Sequence, residues 1–280
     1  MAELIDLRGL FRRKNPSLAS RLPALVYRYL ERIAHVAELN QHIARTGGLG
    51  GVEFARVSLA ALDIHLEVRN PERVPASGRL TVCANHPHGG MDGLALIDLV
   101  GGARGDFAVP ANDLLAVLPS LRPHIAPVNK HGSNFDHLRT FDALFASERP
   151  IIVFPAGVTA RPRGGRLREA PWSKAFLRKS RRYGRTIVPV HIAGRNSRFF
   201  YALARVRTAL GVRANLEMLY LVDELLKLRG ATVRLQVGLP FAAPELSPQR
   251  TGAEWAQRLA RHVESLGCRP DMPFATGAWR

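Results

Sequence analysis

Acidic side chains, cysteine and aromatics are all scarce in this chain. Its 280 residues hold 23 Asp or Glu against 40 Lys or Arg, a net charge of +17. Such a surplus favours an anionic partner: nucleic acid, an anionic membrane surface, or an acidic carrier or phosphorylated substrate. Aromatics make up only 7%. No basic segment is interleaved with them, and no helix-turn-helix or zinc-finger spacing occurs, so nucleic acid is set aside. Two cysteines, Cys83 and Cys268, make no disulfide framework, and a reducing compartment is expected. No stretch approaches the ~18 uninterrupted apolar residues of a spanning helix. Residues Met1 to Leu7 lack the basic start and apolar middle of a secretory signal. The expectation is a protein that lies on a membrane if it meets one.

Catalytic signatures are missing too. Without a GxSxG elbow, a serine hydrolase of the common α/β type has no nucleophile. Without a Walker loop or a GxGxxG turn before a helix, the usual nucleotide sites are absent.

What is present is an alternation of apolar strands and amphipathic helices joined by short links. This predicts an α/β fold with a mixed, largely parallel central sheet covered by helices on both faces. An N-terminal amphipathic helical segment, residues 1–46, precedes the main domain, 47–280. In that segment Leu22, Leu25, Val26, Tyr29, Leu30, Ile33 and Val36 recur at helical intervals from a cap at Ser20, with Arg21, Arg28 and Arg32 between them. The pattern suits a helix docked on the core with a basic solvated face, or one lying on a membrane surface. Gly47 to Gly51 ends it. Predicted strands follow at 64–68, 80–84, 107–110, 125–128, 150–154, 186–193 and 233–237. Helices are expected at 54–62, 94–100, 114–118, after Ser133, at 172–180 and at 254–266.

Three polar loops directly follow apolar strands: Asn85 to Gly93, Asn129 to Gly132 and Pro155 to Arg161. In an open α/β sheet such loops gather at one edge, so one site is expected to unite His86, His88, Asp92, Lys130 and Arg161. A histidine beside a carboxylate suits general base catalysis, because the carboxylate fixes the tautomer and stabilises the imidazolium. Lys130, Arg161, Arg163, Arg166 and Arg168 suit an anionic head group. Two readings compete. The glycines make only a turn and Asp92 only caps a helix, or His86-x-His88 binds zinc with Asp92 and His124 or His191. Against zinc, Gly90 stands where the HxHxDH hydrolases carry an acid, and His191 lies within an apolar strand.

Asn85-His86 through Asp92, Phe154-Pro155-x-Gly157 with Arg161, and Ile187-Val188-Pro189-Val190 resemble, in order and spacing, successive blocks of the glycerophospholipid (lysophosphatidic acid type) acyltransferases. The texture is closest to a bacterial branch of hemolysin or ornithine-lipid type. His86-Pro87-His88-Gly89 also resembles the signature of the diacylglycerol acyltransferase type two family. The resemblance implies transfer of an acyl group from acyl-CoA or acyl carrier protein, a co-substrate and not a resident cofactor, to a hydroxyl of a lysolipid. It implies no metal. His86 would be the base and Asp92 its partner, with Asn85, His88, Gly89, Lys130, Pro155, Gly157, Thr159 and Arg161 around the substrate. An anionic membrane and an acyl carrier protein are the implied partners, and the cytoplasmic face of the inner membrane the implied place.

The chain departs from that pattern twice. Five residues, not four, separate His86 from Asp92, so an extra glycine must bulge the turn if His86 is the base, and His88 is the alternative. Ala156 stands where the third block has glutamate.

Overall fold

The computed structural model describes residues 5–277 apart from 15, 112–114, 116, 128–133 and 213–214, with the backbone alone at 13, 14, 18 and 134–138. Lys130, the cap at Ser133 and residues 114 and 116 of the helix expected at 114–118 lie outside the described residues.

In chain order the helices are α1 (Leu7–Lys14), α2 (Pro16–Arg21), α3 (Ala24–Ile33), α4 (Val36–Thr46), α5 (Gly51–Ala61), α6 (Gly90–Leu96), α7 (Gly102–Arg104), α8 (Asn134–Ala146), α9 (Ala175–Arg182), α10 (Arg198–Ala209), α11 (Leu221–Leu226) and α12 (Gly252–Leu266). The strands are β1 (His65–Arg69), β2 (Leu80–Ala84), β3 (Val109–Ala111), β4 (Ile125–Pro127), β5 (Ile151–Val153), β6 (Arg161–Arg163), β7 (Arg166–Arg168), β8 (Thr186–Ile192), β9 (Thr232–Val237) and β10 (Phe241–Ala242). The main sheet runs β1-β9-β8-β2-β5. β1 and β9, β8 and β2, and β2 and β5 pair parallel, whereas β8 and β9 pair antiparallel. The mixed α/β fold expected from the alternation of elements is the fold observed.

β2 shows why the continuous apolar run reads as a central strand. All five of its residues are buried, and they alternate between two cores. Leu80, Val82 and Ala84 pack with α5 and α6 on one face. Cys83 packs on the other face with Trp172, with Phe176 of α9 and with Leu259 and Val263 of α12. A strand buried on both faces needs apolar residues at every position.

Near the N-terminus the long helix expected from Ser20 is broken. Pro23 has no N–H to continue α2, and α3 starts directly after it. A second break falls at His35, which takes a left-handed conformation (φ 48°) before α4. The segment is tied to distant chain: His35 Nε2 lies 3.1 Å from Asp223 Oδ1, and Arg229 donates to Glu38 at 2.9 Å. Further elements not expected from periodicity are the β6–β7 hairpin, α7, α10, α11 and β10.

Candidate active site

The carboxyl ends of β2, β5 and β8 share one edge of the sheet, because the three strands run parallel. Asn85 leaves β2 there and ties it to β8. Its amide donates to the Ile192 carbonyl at 2.8 Å, and its carbonyl accepts the Ile192 N–H at 2.7 Å. Asn85 therefore fixes the start of the turn with its own side chain.

The turn closes on Asp92, whose side chain has no exposed surface. Asp92 Oδ2 accepts the backbone N–H of His88 at 2.8 Å and of Gly89 at 2.9 Å, capping α6. Oδ1 pairs with His88 Nδ1 at 3.0 Å. Oδ2 also lies 2.9 Å from His86 Nδ1, close enough to pair with the ring once it is protonated but without hydrogen-bond geometry. Capping and histidine pairing are thus functions of one carboxylate. Burial pushes its pKa up, but the two imidazoles outweigh this and hold it at about 2. Gly89 makes the turn possible with φ 99°, and a Cβ there would lie 3.1 Å from Leu221.

The two histidines differ. His88 is 4% exposed, and its ring is pressed on Gly194, where a Cβ would come within 2.2 Å of Cε1 and Nε2. The His86 side chain is 18% exposed and stacks on Phe154 with ring centroids 4.1 Å apart. With Nδ1 turned to Asp92, the far nitrogen of His86 is left for proton transfer.

The loop after β5 docks directly on this turn. Ala160 N–H donates to the His86 carbonyl at 3.3 Å, Gly157 N–H to Phe154 at 2.9 Å, and the Pro155 carbonyl accepts Ser173 N–H at 3.0 Å. Thr159 is buried and accepts from Arg161. Arg161 does not point a free charge at the site. It donates to Glu217 Oε1 at 2.8 Å and lies over the Phe200 ring at 4.7 Å, while Arg207 takes Glu217 Oε2 at 2.8 Å. Glu217 has no exposed surface. Burial raises its carboxyl pKa, and the two guanidinium groups more than offset that, leaving it below the usual range.

Two acids here escaped the sequence reading. One is Glu217, signalled only as a lone acid in an arginine-rich stretch. The other is Glu169, which accepts the backbone N–H of His86 at 2.5 Å and the Trp172 indole N–H at 2.7 Å. Burial holds the Glu169 carboxyl above its ordinary pKa, against the hydrogen bonds it accepts.

The histidines named for the zinc alternative have other partners. His124 Nδ1 lies 3.0 Å from the Phe107 carbonyl and 3.0 Å from an Arg149 N–H, donating to the first in one tautomer or accepting from the second in the other. His191 lies against Gly267 beside α12. Among the described residues no three His, Cys, Asp or Glu side chains form a metal-binding group.

A buttressed histidine at the carboxyl edge of a mixed sheet fits a class of acyl-transfer enzymes, and the comparisons place the chain in it. A family described as acyltransferase matches residues 9–265, so the chain belongs to that family and is an O-acyltransferase. It is 39% identical over 256 residues to a lyso-glycine lipid O-acyltransferase of Phocaeicola vulgatus, covering 91% of this chain and 92% of that one. A protein of the same name from Bacteroides thetaiotaomicron is 38% identical, covering 94% and 97%. The crystal structure of the 1-acyl-sn-glycerophosphate (LPA) acyltransferase PlsC from Thermotoga maritima shares the fold, with a TM-score of 0.50 over 78% of this chain and 79% of that one, at 18% identity.

Proposed function

We propose that this enzyme moves a fatty acyl group from a thioester, acyl-CoA or acyl carrier protein, to the hydroxyl of a lysolipid. The acceptor is an amino-acid lipid of the lyso-glycine or lyso-ornithine kind or a lysophosphatidic acid, with the first favoured by the two relatives' names. The observation that carries the reading is the contact of His86 Nδ1 with buried Asp92 in a chain of this family. His86 takes the acceptor hydroxyl proton on Nε2 as the oxygen attacks the thioester carbonyl. Asp92 stabilises the imidazolium so formed. The tetrahedral intermediate collapses to ester and thiolate, and the imidazolium returns its proton to the thiolate.

Arg161 and Thr159 shape the acceptor side of the site by holding their loop in place. The head-group charge falls to the exposed arginines of the β6–β7 hairpin, Arg163, Arg166 and Arg168. Work on such a substrate places the protein peripherally at an anionic membrane, the cytoplasmic face of the inner membrane. Purified protein given acyl-CoA or acyl carrier protein thioester with lyso-glycine lipid releases one free thiol per ester formed. Absence of product with either donor across lyso-glycine lipid, lyso-ornithine lipid and lysophosphatidic acid would overturn the reading.

A further inference from the structure

The large apolar side chains left exposed are gathered in one region. Nine of the twelve among the described residues belong to α3, to α10 with Leu210 that caps it, to Val212 and to the stretch 215–219. α10 buries Phe200, Tyr201 and Ala204 against the protein. It presents Phe199, Val206 and Leu210 outward at spacings of seven and four, a single stripe in which Leu210 is 73% exposed. Tyr220 links this stripe to α3: its hydroxyl pairs with that of Tyr29, and its ring meets Phe199 edge-on at 5.0 Å. Leu25, one turn before Tyr29, is 69% exposed.

Arg28, Arg32, Arg195, Arg198 and Arg205 are exposed. In the neighbouring segment Glu217 turns inward to Arg161 and Arg207 and Glu224 to Ser197 and Lys227, while half-buried Asp223 is neutralised by His35 and Lys227. An apolar stripe rimmed by arginine matches an anionic bilayer, whose acyl region takes the side chains and whose head groups take the cations. A second copy of the chain would set this arginine rim against another like it.

We propose that α10 with Leu210, the stretch 215–220 and the outer face of α3 insert into an anionic lipid bilayer. The inference rests on the lipid-acceptor reading above and adds to it a route. The segment that meets the bilayer continues into α11, whose Leu221 would touch a Cβ at Gly89 at 3.1 Å and whose Leu225 would touch one at Gly90 at 3.9 Å. A lysolipid leaving the bilayer along this segment arrives beside His86.

The test is flotation with vesicles of phosphatidylcholine alone or with phosphatidylglycerol added, for the wild type and for Val206→Glu/Leu210→Glu. Neither residue belongs to the site. The wild type is expected to float with the anionic vesicles, and the double variant to lose binding at least about tenfold. Arg198→Glu/Arg205→Glu should lose the preference for phosphatidylglycerol and its salt dependence. Unchanged circular dichroism and unchanged transfer to a short-chain, water-soluble acceptor would show the first variant intact. The proposal fails if that variant floats like the wild type, if the wild type ignores anionic vesicles, or if sedimentation reveals a dimer that the substitutions split. Flotation needs no turnover, so a protein that binds vesicles by this face and transfers no acyl group would overturn the function above and leave this surface standing.

Discussion

The turn from His86 to Asp92 and the segment from residue 215 to α11 touch each other and are built on opposite rules. In the turn one fully buried carboxylate gathers two backbone N–H groups and two imidazoles, and everything polar faces inward to fix one ring. In the segment Glu217 and Glu224 also face inward, but Leu216, Met218 and Leu219 face out. Reaction chemistry needs a geometry that cannot drift, whereas a lipid substrate needs a surface it can leave the bilayer along. The buried Glu217 pairs secure the second region to the first through Arg161.

The largest expected effect breaks the turn. His86→Ala is expected to lower kcat about a thousandfold with the fold intact by circular dichroism, and His88→Gln about tenfold. Thiol release by the two variants checks this. A reversed order would make His88 the base despite its ring being sealed against Gly194.

Next comes the tie between the regions. Glu217→Ala leaves Arg161 and Arg207 without their carboxylate at a site with no exposed surface, and costs about 3–5 kcal/mol. Calorimetry should record a fall in Tm on the order of 10 °C. Removing Glu38 from its exposed pair with Arg229 should barely move Tm. Equal shifts for the two would show that Glu217 does not secure the segment.

Acid tests the turn alone. The Asp92 pKa is depressed from 3.8 to about 2, so its ionised form stabilises the fold above about pH 4. That contribution, about 2 kcal/mol, is lost as pH falls from 4 through 2. Denaturation followed across this window should show a steeper loss for the wild type than for Asp92→Asn, and parallel curves would refute the assignment.

Much of the turn and the sheet was legible because their signals are local. The apolar run Leu80 to Ala84 read as a strand, and the glycines, histidines and acid at its end read as a turn opening a helix. What stayed hidden depends on distant pairing. Arg161 reads as a free cation until Glu217, 56 residues later, is folded onto it. α10 carries apolar residues on two faces, Phe200 and Ala204 inward and Phe199 and Val206 outward, so no single amphipathic stripe announced it. The N-terminal helix misled for a different reason: its periodicity ran straight through Pro23, where the missing N–H ends one helix and another begins.

The smallest expected effect concerns Glu169, where the two designs meet. It stands just beyond the arginine hairpin that faces solvent, yet its carboxylate holds the backbone N–H of His86 and the indole of Trp172. Where the chain has Ala156 in the loop beside the site, this acid reaches the same turn from the far end of the hairpin. It touches no reacting atom, so its role is to position His86. Glu169→Gln keeps one acceptor but must offer its amide N–H to a second donor, either the His86 N–H or the indole. The expected result is a fall in kcat of less than about tenfold, with KM for the lysolipid unchanged. A rise in KM at constant kcat would instead make Glu169 part of the acceptor's binding surface.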